Sequence, residues 1–89
     1  MPRVIATHAV GNMDTWLAGG KERAVLFKQF CSSYRIYRQP QGNNVAICRE
    51  NADMQKFEAT LSQPEAQKAK ARHTVIDPIE IYVEVEGAS

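Results

Sequence analysis

Residues 4–10 are Val, Ile, Ala, Thr, His, Ala and Val, with no turn former among them. They predict a first strand whose faces are Val4, Ala6, His8, Val10 and Ile5, Thr7, Ala9. Gly11 and Asn12 end it, and Asn12 or Asp14 is placed to cap a following helix. Met13, Leu17, Gly20, Ala24, Phe27 and Cys31 then recur at steps of three and four, with Trp16 and Phe30 widening the stripe. This predicts a helix over about 13–32 with one buried face, and with Lys21, Glu22, Arg23 and Lys28 toward water. Gly19-Gly20 interrupts the pattern. Each glycine costs about 1 kcal/mol against alanine in a helix interior. The pair therefore marks a kink, a break or the close approach of another segment.

Residues 34–38 and 45–49 alternate as strands about Gln39-Pro40-Gln41-Gly42-Asn43-Asn44, which predicts an antiparallel hairpin. Asn51 and Asp53 are cap candidates for a second helix with Met54, Phe57, Leu61, Ala66 and Ala69 on its apolar side. Pro64 splits that helix into pieces at about 52–61 and 63–72, with Ser62 capping the second. Asp77-Pro78 predicts a turn, and residues 79–86 predict the cleanest strand. Ile79, Ile81, Val83 and Val85 form its buried face, against Glu80, Tyr82, Glu84 and Glu86.

The order is βαββαβ, the ferredoxin-like arrangement of the α+β class. It makes a four-stranded antiparallel sheet with two helices on one face. The other face carries Tyr37, Cys48, Tyr82 and several charges, with nothing to cover it. A second copy is the expected cover, since twofold dimers are the commonest oligomers. The 89 residues predict a single domain over 1–89. At that size folding buries only about 60–65% of the chain's surface, so a partner subunit would reinforce a thin core.

Composition removes several functions. Lys and Arg total 11 against 10 Asp and Glu, a net charge of +1. That is no basic surplus for nucleic acid, and the third strand lacks the stacking aromatic of an RNA-binding sheet. A 44% hydrophobic content argues against disorder. No run approaches the roughly 20 apolar residues of a membrane span. Thr7 and His8 interrupt the amino-terminal apolar run, which reads as a strand rather than a leader. Cys31 and Cys48, with 16 residues between them, lack metal-pair spacing. They predict reduced thiols in a cytoplasmic protein, and a bridge between them stays open.

The candidate chemistry centres on His8, in an otherwise apolar strand. If its face lies under the helices, the imidazole sits in a cavity as a general acid or base. Otherwise it is a structural histidine bonded to backbone or to Asp14. His73 either joins His8 at the mouth of that cavity or serves the end of the second helix. Trp16 is an aromatic wall for a flat ligand or a packing residue. Tyr37 and Tyr82 are further ligand-binding candidates, though as open-face residues they fit an interface better. Glu80, Glu84 and Glu86 are expected to be solvated or paired with Arg35, Arg38 or Arg49. No metal motif is present, although His8, His73 and Asp77 could meet in space.

Three stretches add a resemblance. Thr7-His8-Ala9-Val10-Gly11-Asn12-Met13-Asp14-Thr15-Trp16 resembles the strand-to-helix junction H-x-V-x-D/N-x-D-x-W of some dimeric α+β barrel proteins. Asn51-Ala52-Asp53-Met54-Gln55-Lys56-Phe57 through Ser62-Gln63-Pro64-Glu65 resembles their broken second helix. His73-Thr74-Val75-Ile76-Asp77-Pro78 leads into the last strand in their manner. This superfamily holds the antibiotic-biosynthesis-monooxygenase-like domains. The resemblance implies a homodimer whose sheets pack as a barrel, with a cavity between sheet and helices for a small hydrophobic or aromatic molecule. It also implies oxidation of that molecule, in some members with no cofactor, and none is expected here. The haem-degrading branch places Asn, Trp and His at set positions. Only Trp16 fits and the first helix has no His, which argues against haem. A non-catalytic homodimeric accessory or stress-related module is the alternative.

Overall fold

The computed structural model describes residues 3–87. In chain order the elements are β1 (Val4–Val10), α1 (Met13–Ala18), α2 (Gly20–Phe27), β2 (Ser33–Arg38), β3 (Asn44–Glu50), α3 (Met54–Leu61), α4 (Pro64–Arg72) and β4 (Val75–Val83). The strands form one antiparallel sheet in the order β2-β3-β1-β4. This is the ferredoxin-like α+β fold, with each helical segment in two pieces.

The alternation in β1 settles which face is covered. Val4, Ala6, His8 and Val10 are buried, while Ile5 stays exposed. Directly paired strand residues share a face. Ala6 pairs with Ile47 and His8 with Val45, so Val45, Ile47 and Arg49 line the covered side of β3. Trp16, Phe27, Phe30 and Phe57 pack on that side, with Phe30 and Phe57 stacked at 4.9 Å between ring centroids.

Several expectations need correction. The first helix does not run to residue 32. It breaks at Gly19, whose N–H bonds the Trp16 carbonyl, and its second piece ends at Phe27. A Cβ on Gly19 would lie 2.4 Å from Nε2 of His73, so the close approach is that of an imidazole ring. Arg23 does not face water but is buried, with its guanidinium packed over the Trp16 ring.

Asp77-Pro78 does not precede β4 but lies inside it. Thr7 pairs with Glu80 and Ala9 with Ile76, so Asp77, Pro78 and Ile79 together oppose His8. Proline is tolerated there because β4 is an edge strand and its ladder is already interrupted. The strand ends at Val83, and its proposed apolar face is half exposed: Ile81 38%, Val83 47%. An edge strand has a neighbour on one flank only.

Capping follows the sequence in two cases. Asn12 accepts from the Thr15 N–H and Asp53 from the Lys56 N–H. Ser62 does not cap α4. Its hydroxyl donates to the Glu58 carbonyl, and α4 starts on Pro64 after Gln63. Thr74, between α4 and β4, has φ +60°, a strained value for a β-branched residue. Its hydroxyl takes the Asn12 N–H at 2.9 Å, and its carbonyl takes the Gly11 N–H at 2.8 Å. These bonds tie the end of α4 to the start of α1 and fix where His73 sits.

Candidate functional site

His8 projects from β1 beneath the helices and is 7% exposed. Its Nδ1 lies 3.0 Å from the Ala9 carbonyl. A carbonyl only accepts, so Nδ1 carries the proton and Nε2 keeps its lone pair. Burial holds the imidazole below its ordinary pKa. The Ala9 bond acts the other way, and the charges of Arg23, Arg49 and Lys70 lower it further. His8 is thus a neutral base at neutral pH.

Trp16, 1% exposed, meets the His8 ring edge-to-face at 5.9 Å between centroids. The Arg23 guanidinium lies 3.8 Å from the Trp16 ring centroid and donates to the Trp16 carbonyl. Desolvation lowers the pKa of Arg23. His73 closes α4 and fills the notch at Gly19. Its pKa is also lowered, first by burial, then by Arg23, with Glu22 opposing at 3.9 Å.

Arg49 is the most deeply enclosed cation of the site, at 3% exposure. Its Cζ lies 4.4 Å from the Phe27 ring centroid, 4.7 Å from Phe57 and 5.3 Å from Phe30. Its Nε and Nη1 have no hydrogen-bond partner among the described residues. Burial pushes its pKa down to about 10, which leaves it charged at neutral pH.

These groups surround a cavity of about 80 Å³ between sheet and helices. His8, Trp16, Arg23, Arg49 and His73 line it, with Phe27, Phe30, Phe57, Leu26 and Ile79. The structure therefore brings together three residues expected from sequence: His8, Trp16 and His73. Tyr37 and Tyr82 lie elsewhere. Tyr37 pairs with Ala46 and Tyr82 with Ile5, which places both on the open face. Both are more than half exposed there. Tyr82 donates to Glu80 at 3.0 Å, which holds its phenol above the ordinary value.

Arg23 and Arg49 were missed as site residues, and the sequence held a signal for each. Arg49 continues the alternation Val45, Ile47. Arg23 stands seven residues after Trp16 and four before Phe27, the spacing of one helical face. The expected pairing of Arg49 with a strand glutamate fails because it faces the helices. Glu84 instead lies 3.9 Å from Arg3, as does Glu50. Asp77 pairs with Lys70 at 2.6 Å. Among the described residues no three His, Cys, Asp or Glu gather as metal ligands. Cys31 and Cys48 are both free thiols.

Solved structures share this architecture. A proposed antibiotic biosynthesis monooxygenase from Bordetella bronchiseptica superposes with a TM-score of 0.74 at 14% identity, over 98% of this chain and 97% of that one. One from Chloroflexus aurantiacus gives 0.63 at 24%, over 99% and 96%. The chain has their fold. SnoaB, a cofactor-independent oxygenase from Streptomyces nogalater, gives 0.64 at 14% identity, over 99% of this chain and 93% of that one. No family model matches the chain, and no curated protein matches it. No described helix is long and apolar enough to cross a membrane.

Proposed function

We propose that this protein is a single-domain homodimer that binds a small hydrophobic or aromatic molecule in the cavity and oxidises it with dioxygen, without a bound cofactor. One observation carries the reading: a buried His8 whose Nδ1 lies 3.0 Å from the Ala9 carbonyl, beside an aromatic wall. Nε2 then takes an acidic proton from the substrate. The resulting electron-rich anion reduces dioxygen itself. A ring CH₂ becomes C=O, one oxygen atom enters the product, and the other leaves as water with both hydrogens. The fold shared with SnoaB supports this class of reaction.

Trp16 packs against the imidazole and presents an apolar wall to a flat ring. His73 stands at the same cavity, braced by Gly19 and Thr74. The cavity is well below the roughly 300–1,000 Å³ of pockets for drug-sized ligands. It suits a small ligand, or one ring of a larger molecule. Leu26 separates it from an open groove between α2 and α4 and is the natural point of access. Tyr37 and Tyr82, with Ile5 and Ile76, supply the open face through which two copies would pair. There they hold the dimer rather than the ligand.

The small cavity volume favours the second reading, a homodimer without catalysis. Oxygen uptake with anthrone and 2-tetralone, each with an acidic ring CH₂, separates the two. The oxygenase reading expects uptake by the native protein and at least tenfold less by His8→Ala with an unchanged circular dichroism spectrum. No uptake with any of them, and no binding, leaves the non-catalytic dimer.

A further inference from the structure

Arg49 has a chemistry that the oxygenase reading does not use. A buried cation is costly unless it is paired and hydrogen-bonded. The neighbouring cations each have a partner. Lys70 has Asp77, Arg72 has Glu22, and Arg23 has the Trp16 ring and carbonyl. Arg49 has no acidic partner among the described residues. Three phenyl rings hold the guanidinium through the face attraction of aromatics for cations, but rings leave Nε–H and Nη1–H unsatisfied. Arg23 and Lys70 line the same cavity, so its charge is positive on several sides. Carboxylates are absent from its lining among the described residues.

We infer that the cavity is an anion pocket, and that its ligand carries one carboxylate held by the Arg49 guanidinium, with its apolar body against Phe27, Phe30 and Phe57. An oxygen anion completes the hydrogen bonding that the protein leaves undone, and charge-assisted bonds from guanidinium to carboxylate are among the stronger ones. At 80 Å³ the space admits a short chain or a single ring edge. The inference rests on the proposed function only in taking the cavity as the ligand site. It needs no oxidation.

The test is binding of acetate, propionate and benzoate to the native protein, each against its amide, at matched ionic strength. Calorimetry reads affinity, and nuclear magnetic resonance reads the His8 ring. The inference expects at least tenfold preference for one or more acids over the matching amide. It also expects the pKa of His8 to rise on binding, as the positive surroundings are neutralised. Arg49→Met, which keeps length and removes charge, should stay folded and lose the preference. Arg49→Lys should recover part of it. Equal binding of acid and amide overturns the inference while leaving an oxygenase of neutral aromatics intact. Failure of all three acids to bind, with Arg49→Met less stable than the native protein, overturns the inference and leaves a cation that only packs the three rings. Acid binding that needs Arg49, without oxygen uptake on any substrate, upholds the anion pocket and sinks the oxygenase.

Discussion

The two faces of the sheet carry the same kinds of residue to different ends. Each mixes apolar side chains with charged and aromatic ones. The open face shows Arg35, Glu80, Tyr37 and Tyr82 to water, where charges are hydrated and exposed ion pairs contribute little. The covered face takes His8 and Arg49 under the helices, and α2 adds Arg23. All three have lowered pKa values, with desolvation as the first cause. Chemistry here follows from which side of a period-two alternation a basic residue occupies. A one-residue slip in β1 or β3 would turn His8 or Arg49 into an ordinary surface group.

The largest test of this contrast removes the wall of the covered face. Trp16→Ala should cost about 3–5 kcal/mol, because it leaves a cavity and strips Arg23 of its ring. Urea denaturation measures it. Next is Gly19→Ala, whose new methyl group meets the His73 ring. It should cost about 1–3 kcal/mol, typical of overpacking. The same substitution at Gly20, which has nothing within 4 Å, should be neutral or stabilising.

A smaller effect is on pH. His8 and His73 have folded pKa values below the unfolded value of about 6.5. Their neutral forms therefore favour the native state. That contribution is complete above about pH 6.5 and is lost as pH falls through the depressed folded values. Stability between pH 8 and pH 5 should decline toward acid, and less steeply in His8→Asn. The smallest effect on folding belongs to the open face. Tyr37→Ser with Tyr82→Ser should change monomer stability by less than about 0.5 kcal/mol per site. The pair should nevertheless weaken the proposed dimer in sedimentation. Loss of the fold would mean that the open face belongs to the core.

Much of this was legible in the sequence. Alternation in residues 4–10 and the turn at 39–44 located β1 and the hairpin to within a residue or two. The break at Gly19 was marked, but not its cause. The ring that fills the notch comes from His73, far along the chain, and no local pattern reports such a contact. Asp77-Pro78 misled for a similar reason. Proline signals a turn unless the strand is an edge with a bulge, and strand order is a tertiary fact. His8 and Trp16 were singled out because a polar or bulky residue on an apolar face stands out, and His73 because it lies between the second helix and the last strand. Arg23 and Arg49 were assigned to water because charged residues usually lie there. Both are buried by packing their guanidinium groups on aromatic rings.

The state of His8 tests the account most directly. Nitrogen-15 resonances of its ring, followed from pH 8 to pH 4, report which nitrogen holds the proton and where the second arrives. The Ala9 contact predicts the proton on Nδ1, and burial predicts a pKa below the ordinary histidine value of about 6.5. A proton on Nε2, or a pKa at or above that value, would contradict a base with its lone pair open in the cavity.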